Sequence, residues 1–161
     1  NIEDGMVIPT KQHSIHIKSG EKNKIEKAGK QLHLYLKDFN SPDSKLFTEH
    51  VVTQVYRYEA KTILPPRIAE LAEKYGFQFN KITIRDNRRN WGSCSSKNNI
   101  SLNLQMMKLP DELIDYILLH ELVHTKIKNH GEEFWKMLNL ITGNRARELA
   151  KQVKKFSTYA I

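Results

Sequence analysis

The amino-acid sequence predicts an α+β protein. Two short segments of alternating apolar and polar residues come first, a long helical pattern follows, and a second pair of strand-like segments precedes three further helical patterns. Alternation with period two is typical of strands that bury one face, whereas apolar residues three and four apart are typical of amphipathic helices. The order of strands, helices, strands and helices indicates the α+β class.

Two strands are predicted in the N-terminal region, residues 1–63. The segments SIHIKS (14–19) and LHLYLK (32–37) alternate with period two, and a lysine-rich turn that contains glycine separates them. The remaining part, residues 64–161, contains the motifs that carry chemistry. We expect both parts to form one compact domain, because 161 residues suit a single domain.

Two helices are predicted on either side of a proline pair. From Ser44 the apolar residues follow helical spacing, and Pro65 and Pro66 are expected to end this helix, because proline lacks the amide hydrogen that a helix interior requires. A second, shorter helix then runs to Tyr75. It is expected to end at Gly76, since glycine is the preferred residue just beyond a helix.

The rest of the chain is predicted to form a hairpin and three helices. KITIRD (81–86) and NISLNLQM (99–106) read as strands that pair across a loop. Pro110 with the two acidic residues after it makes a good helix start. Glycines at positions 131 and 143 precede the other two helices.

Composition limits the classes of partner. The net charge of +8 would attract polyanions, but no dense basic run is present, so it equally serves general solubility. No apolar segment approaches the roughly 20 residues that span a bilayer, and the first residues lack the apolar block of a signal peptide. Cys94 is the only cysteine, which excludes an internal disulfide and a cysteine-rich zinc site. We therefore expect a cytoplasmic protein without a membrane partner.

The stretch HELVH (120–124) predicts a metal site. Residues four apart on a helix share one face, so His120 and His124 can direct their imidazoles at one ion. Glu121 is rotated to one side, where it can hold a water molecule rather than the ion. This is the arrangement of H-E-x-x-H hydrolases, in which a glutamate accepts a proton from water. The apolar neighbours in ILLHELVH indicate a buried helix, where histidines without a metal would be costly.

A catalytic zinc site needs a third protein ligand and an open position. His130 is the best candidate, since Asn129 and Gly131 tolerate left-handed backbone conformations that would turn the chain back toward the ion. Glu132 and Glu133 are alternative candidates for the third ligand, although they more naturally begin the next helix.

Two known ligand patterns fit less well. The spacing of the three histidines matches the metzincin pattern, but Ile127 stands at its glycine position and Met137 reads as core rather than as a Met-turn. A gluzincin would use a glutamate from a later helix, for which Glu148 is available without a supporting motif.

The sequence WGSC (91–94) has two interpretations. It could border the metal cleft, or Trp91 could anchor the hairpin while Gly92 makes the turn, and the second is the more ordinary use of these residues. Cys94 is a poor nucleophile or fourth ligand, because it has no local partner and a fourth ligand would close the site. The group that stabilises a developing oxyanion stays open, with candidates Arg85, Arg88, Arg89, Tyr56 and Tyr159.

Several linked motifs resemble one family. W-G-S-C, N-I-x-L-N, L-P-x-x-L-I-D-Y, H-E-L-x-H and N-H-x-x-x-F-W are similar to the pattern of YgjP-like zinc-dependent hydrolases, relatives of the SprT-like metallopeptidases. The resemblance covers roughly residues 64–156, and residues 1–60 match poorly. It departs at Asn90, where the family usually has arginine. Whether another residue of this chain takes the role of the family arginine is therefore open.

The resemblance implies a zincin-like fold, in which a small antiparallel sheet packs against the metal-bearing helix and C-terminal helices follow. It also implies Zn²⁺ held by His120, His124 and His130, with Glu121 as the catalytic acid/base. We expect a zinc-dependent hydrolase, most readily a metallopeptidase acting on peptides or proteins. A nucleoside triphosphate pyrophosphatase is the first alternative. A nucleic-acid-associated protein with an ancillary zinc site is the second, and it rests on the basic surface.

Overall fold

The computed structural model describes residues 1–159, which form seven strands, four α-helices and one short 3₁₀ helix. The strands are β1 (Val7–Pro9), β2 (Ser14–Ser19), β3 (Lys24–Ala28), β4 (Gln31–Leu36), β5 (Lys81–Arg85), β6 (Gly92–Cys94) and β7 (Asn99–Asn103). The helices are α1 (Pro42–Tyr75), the 3₁₀ helix (Leu104–Lys108), α2 (Asp111–His124), α3 (Glu132–Ile141) and α4 (Ala146–Val153). The α+β class is confirmed. The chain divides into two units, residues 1–59 and 60–159, and the division falls within α1.

The first unit contains a four-stranded sheet in the order β1-β2-β4-β3. The predicted strands at 14–19 and 32–37 are confirmed, and their alternation has the expected cause, since Ile15, Ile17 and Leu34 are fully buried. These two strands run parallel, so a simple turn cannot join them. The segment predicted as a lysine-rich turn instead contains β3, which pairs antiparallel with β4.

A buried carboxylate ties α1 to the connection between β1 and β2. Glu59 is fully buried and accepts hydrogen bonds from the Thr10 hydroxyl (2.6 Å) and from the backbone amides of Lys11 (3.1 Å) and Gln12 (2.8 Å). Its Oε2 also lies 2.6 Å from His13 Nδ1. Such a network satisfies a buried charge, which would otherwise be very costly.

The helix α1 continues through the proline pair, so the predicted break at Pro65 and Pro66 is wrong. Each proline removes one backbone hydrogen bond, and local preference alone would end the helix there. Leu64 and Ile68 are both fully buried, so the apolar face continues on both sides of the pair. Burial of that face offsets the local cost. The predicted end at Gly76 is confirmed by its positive φ of 76°.

The second unit contains a three-stranded sheet in the order β5-β7-β6. The strands β5 and β7 run parallel, so the predicted hairpin between 81–86 and 99–106 is wrong. The missed strand β6 lies antiparallel to β7 and forms the other edge, which makes the sheet mixed rather than antiparallel as expected. Alternation identified the strands, but it contains no information about which neighbour each one pairs with.

Three helices follow the sheet. Helix α2 contacts β6, α3 and α4, so the HExxH helix lies between the sheet and the C-terminal helices, as the zincin-like prediction requires. Fully buried side chains from the 3₁₀ helix, α2 and α3 fill the core of this unit, namely Leu104, Met106, Leu118, Leu122, Val123, Phe134 and Leu138. Within residues 1–159, no helix is both long and apolar enough to cross a membrane.

Candidate metal centre

The last two turns of α2 present two histidines on one side. The helix begins at Asp111 after Pro110, with acidic residues in its first turn that complement the helix dipole. The side chains of His120 and His124 are one helical turn apart, and their ring centroids are separated by 5.0 Å. The i,i+4 spacing therefore brings both imidazoles to one place without distorting the helix, as predicted from the sequence.

The connection from α2 to α3 brings in the third histidine. The Asn129 side-chain oxygen accepts a hydrogen bond from the Gly131 amide at 3.1 Å, which closes a tight turn around His130. Gly131 has φ of −76° and neither it nor Asn129 has a positive φ, so the predicted left-handed turn is wrong. The side chain of Asn129, rather than unusual backbone freedom, redirects the chain.

The three imidazoles converge on one point. Nε2 of His130 lies 2.9 Å from Nε2 of His124 and 3.2 Å from Nε2 of His120. Two nitrogens bound to one tetrahedral zinc ion are about 3.3 Å apart, given zinc–nitrogen bonds of about 2.05 Å. Among the described residues these three form a group that could hold a metal ion, with all ligand atoms within 4.8 Å of one another. The donor set and its spacing fit zinc.

Neighbouring groups orient two of the imidazoles. Nδ1 of His124 donates to the Ile127 carbonyl at 2.9 Å, which leaves the lone pair of Nε2 directed at the centre. Nδ1 of His120 lies 3.4 Å from the hydroxyl of Tyr116. Such outer partners fix the tautomer and the ring orientation of metal-binding histidines. Sequence reasoning missed Tyr116, although its position four residues before His120 places it on the same helical face.

Phe134 forms the apolar floor of the centre. Its ring lies 4.5 Å from that of His124, 4.8 Å from that of His130 and 4.9 Å from that of His120, measured between centroids. It is fully buried. Phe134 sits in the first turn of α3, so this helix covers one side of the centre.

Burial favours the neutral form of two of the imidazoles. The pKa of His120 is lowered to about 3, first by burial and then by the neighbouring His124 and His130. Burial also lowers the pKa of His124. Metal ligands must carry a free lone pair, and neutral imidazoles meet that requirement at physiological pH.

Glu121 lies beside the centre without a protein partner. Its side chain is 5% exposed and makes no hydrogen bond with any described residue. Burial raises its pKa to about 8. A Cβ atom added to Gly92 would lie 3.1 Å from the Glu121 carboxylate, so β6 approaches this residue closely. The interpretation of Gly92 as a turn is therefore wrong, and the interpretation that WGSC borders the cleft gains support.

The family assignment agrees with this geometry. The YgjP-like, metallopeptidase domain family model matches residues 2–156 of the chain. The chain belongs to the YgjP-like metallopeptidases. The resemblance drawn from the motifs is thus confirmed, and it extends through the N-terminal residues that the motifs did not cover. Membership implies hydrolysis of peptide bonds and a metal ion.

Two solved structures are similar to part of this YgjP-like chain. The crystal structure of the metallopeptidase zymogen of Pyrococcus abyssi abylysin is 27% identical, with a TM-score of 0.49 over 55% of this chain and 89% of that one. The metallopeptidase zymogen of Methanocaldococcus jannaschii jannalysin is 28% identical, with a TM-score of 0.48 over 55% and 90%. No curated protein matches the sequence.

The remaining candidates of the YgjP-like chain lie outside the histidine group. Among the described residues, that group does not include the rival carboxylates Glu132, Glu133 and Glu148 or the thiol of Cys94. The side chain of Cys94 instead contacts Asn98 and Lys128. Of the oxyanion candidates, Tyr56 belongs to the first unit, and Arg88 stacks on the ring of Tyr159.

Proposed function

We propose that the chain is a zinc-dependent peptidase in which His120, His124 and His130 hold the ion and Glu121 is the general base. The convergence of three Nε2 atoms at 2.9 Å and 3.2 Å carries this proposal. Two neutral imidazoles can share one hydrogen bond, but three that point at one another leave lone pairs unsatisfied. A cation at their centre satisfies all three.

A zinc ion held there supplies Lewis acidity, which makes a water molecule and a substrate carbonyl more reactive. Glu121 accepts the proton of the attacking water and delivers it to the leaving amine. Its buried position suits this task, because a nearby divalent cation favours the ionised carboxylate whereas burial favours the protonated form. These opposing influences let one group take up and release a proton.

The exposure of the ligands indicates where substrate enters. His124 is buried, His120 is half-buried and His130 is exposed, so the centre opens on the side of His130. Phe134, which is fully buried, packs against all three imidazole rings and shields its own side of the centre from water. An extended peptide can therefore reach the centre from solvent while the proton-transferring carboxylate stays shielded.

The experiment compares two isosteric variants, Glu121→Gln and Glu133→Gln, loaded with zinc. We expect about one zinc per chain in both. Hydrolysis of an unfolded protein should fall on the order of 10³-fold in Glu121→Gln, because a general base contributes 10² to 10⁴, and should be unchanged in Glu133→Gln. Glu133 is exposed in the first turn of α3 and lies outside the histidine group, so it controls for the loss of one charge.

The same samples test the alternative substrate. Incubation with UTP, with and without a chelator, measures pyrophosphate release under matched conditions. Full hydrolysis by Glu121→Gln contradicts the assignment of the base. Zinc-dependent cleavage of UTP without cleavage of protein contradicts the assignment of the substrate.

A further inference from the structure

Helix α4 presents a basic face. Arg147, Lys151 and Lys154 follow one another at intervals of four and three residues, which places them on one side of the helix. The opposite side carries the buried residues Ala146, Leu149 and Val153, which anchor α4 in the core. All three cations are exposed. The sequence had indicated only that basic residues lie away from the apolar stripe.

This basic face forms one wall of a hollow beside the metal centre. The hollow has a volume of about 740 Å³ and is lined by His120 and His130 together with Arg147 and Lys151 of α4 and Lys154 directly after it. A space of this size lies within the range of ordinary ligand pockets, about 300–1,000 Å³. Because two of the proposed zinc ligands line it, any group bound there lies next to the bond that is cleaved.

Arg147 is held in place without a carboxylate partner. Its guanidinium lies 4.1 Å from the centre of the Trp135 ring, which is a close cation–π contact. Among residues 1–159 it forms no ion pair. Stacking uses the face of the guanidinium and leaves the N–H groups at its edge free. Such a fork matches the geometry of a carboxylate.

The acidic residue in the lining is already neutralised. Glu148 accepts a hydrogen bond from Nε of Arg145 at 2.5 Å, and Arg145 also pairs with Glu112. Neither Lys151 nor Lys154 forms an ion pair in the part of the chain that the structure describes. The hollow therefore has an excess of positive charge that no internal group balances.

We propose that Arg147, stacked on Trp135 and supported by Lys151 and Lys154, forms a subsite that binds a carboxylate of the peptide substrate. The enzyme would then prefer peptides with an aspartate, a glutamate or a free C-terminus at a fixed distance from the cleaved bond. This inference rests on the proposed peptidase function. Arg147 acts in substrate specificity and takes no part in proton transfer.

Binding to a protein that cannot cleave tests the subsite. The receptor is the zinc-loaded Glu121→Gln protein, and the probes are blocked, fluorescent heptapeptides of alanine and serine with one glutamate at each position in turn. A matched series carries glutamine, and a third carries a free C-terminal carboxylate. We expect roughly five- to tenfold tighter binding of glutamate than of glutamine at one position, the range of a partly exposed charge-assisted contact.

Variants in the same background assign the preference. Arg147→Ala should reduce it to less than twofold, and Arg147→Lys should retain part of it, because lysine keeps the charge but loses the planar fork. Arg147→Glu should reverse the preference, so that the glutamine peptide binds more tightly than the glutamate peptide. Lys155→Ala is the matched control, since it removes one positive charge just beyond α4 from a residue that does not line the hollow.

Several results would overturn the subsite. These are equal binding of glutamate and glutamine peptides, a preference that survives Arg147→Ala, or no binding of any peptide. Competition by inorganic phosphate or by a DNA oligonucleotide, but by no carboxylate, would assign the cations to phosphate instead. The peptidase proposal is tested separately, by cleavage of the glutamine series with the unsubstituted, zinc-loaded protein. Cleavage supports the peptidase proposal even if the subsite proposal fails. If no cleavage occurs, the peptidase proposal fails, but the measured binding preference is unaffected.

Discussion

Two buried glutamates, one in each unit, differ in how the protein treats their charge. Glu59 is fully buried and is surrounded by hydrogen-bond donors from residues 10–13. Glu121 is nearly as buried, at 5% exposure, and has no hydrogen-bond partner among the described residues. The free-energy penalty of burying a carboxylate is small when hydrogen-bond donors surround it and large when they do not.

The difference separates a structural role from the chemical role that we propose for Glu121. Glu59 connects α1 to the turn before β2, and every contact it makes is intramolecular. The oxygens of Glu121 are free to interact with something that is not part of the chain. Unsatisfied ionisable groups near a cluster of ligands are a physical sign of a functional site. The comparison therefore supports Glu121 as the base by an observation independent of the HExxH motif.

The largest expected effect is the pH dependence of stability in the metal-free protein. Burial raises the pKa of Glu121 to about 8 from an ordinary value of 4.5. Between these values the folded state holds a proton that the unfolded state has lost. The stabilisation associated with the neutral carboxyl is therefore complete below pH 4.5 and is lost as the pH rises to about 8.

Glutamine at position 121 cannot ionise, so the free energy of unfolding of Glu121→Gln should exceed that of the unsubstituted protein increasingly from pH 5 to pH 9. The difference should reach at most about 5 kcal/mol. Chemical denaturation at several pH values measures this difference. Titration of the histidines affects both proteins alike and does not contribute to the difference. A constant difference across this range would mean that Glu121 is not buried as a neutral acid.

The second expected effect is the loss of stability in Glu59→Gln. This isosteric change removes the charge and replaces one accepting oxygen by an NH₂ group that faces backbone donors. We expect a loss of about 2 kcal/mol at pH 7, since buried donors are left unsatisfied. Urea unfolding of the two Glu→Gln variants side by side provides the measurement. If Glu59→Gln proves as stable as Glu121→Gln at that pH, the proposed difference in how the protein stabilises the two carboxylates is contradicted.

The smallest expected effect concerns the approach of β6 to Glu121. In Gly92→Ala the added methyl group would lie 3.1 Å from the carboxylate, so the side chain must move by a few tenths of an ångström. Small displacements of a catalytic group are costly, and we expect about a tenfold loss of kcat/KM with zinc content unchanged. Ser93→Ala, in the same strand, is the matched control. Full activity of Gly92→Ala would show that β6 does not position the base.

The sequence contains the local features of this molecule but not the long-range ones. HELVH identified two proposed ligands because their convergence depends only on helical periodicity, and Tyr116 could have been found by the same rule. His130 required a prediction about the loop: the structure does bring its imidazole to the other two, but through a different turn from the one predicted. The turn depends on the side chain of Asn129 rather than on a left-handed backbone.

Pairing and burial were harder to predict for a physical reason. Alternation identifies a strand but not its partner, so the parallel pairs β2–β4 and β5–β7 were missed. The break at Pro65 and Pro66 failed because packing of the whole of α1 outweighs a local preference. Glu59 shows no local signal, since its donors lie 46 to 49 residues away along the chain.

X-ray absorption at the zinc edge tests the central claim most directly. The zinc-loaded protein should show three imidazole nitrogens at about 2.0–2.1 Å and no sulfur at about 2.3 Å. The spectrum of His130→Ala should lose the scattering of one imidazole, and that of Cys94→Ser should be unchanged. An imidazole count that stays the same in His130→Ala, or a sulfur ligand that disappears in Cys94→Ser, would contradict the three-histidine centre.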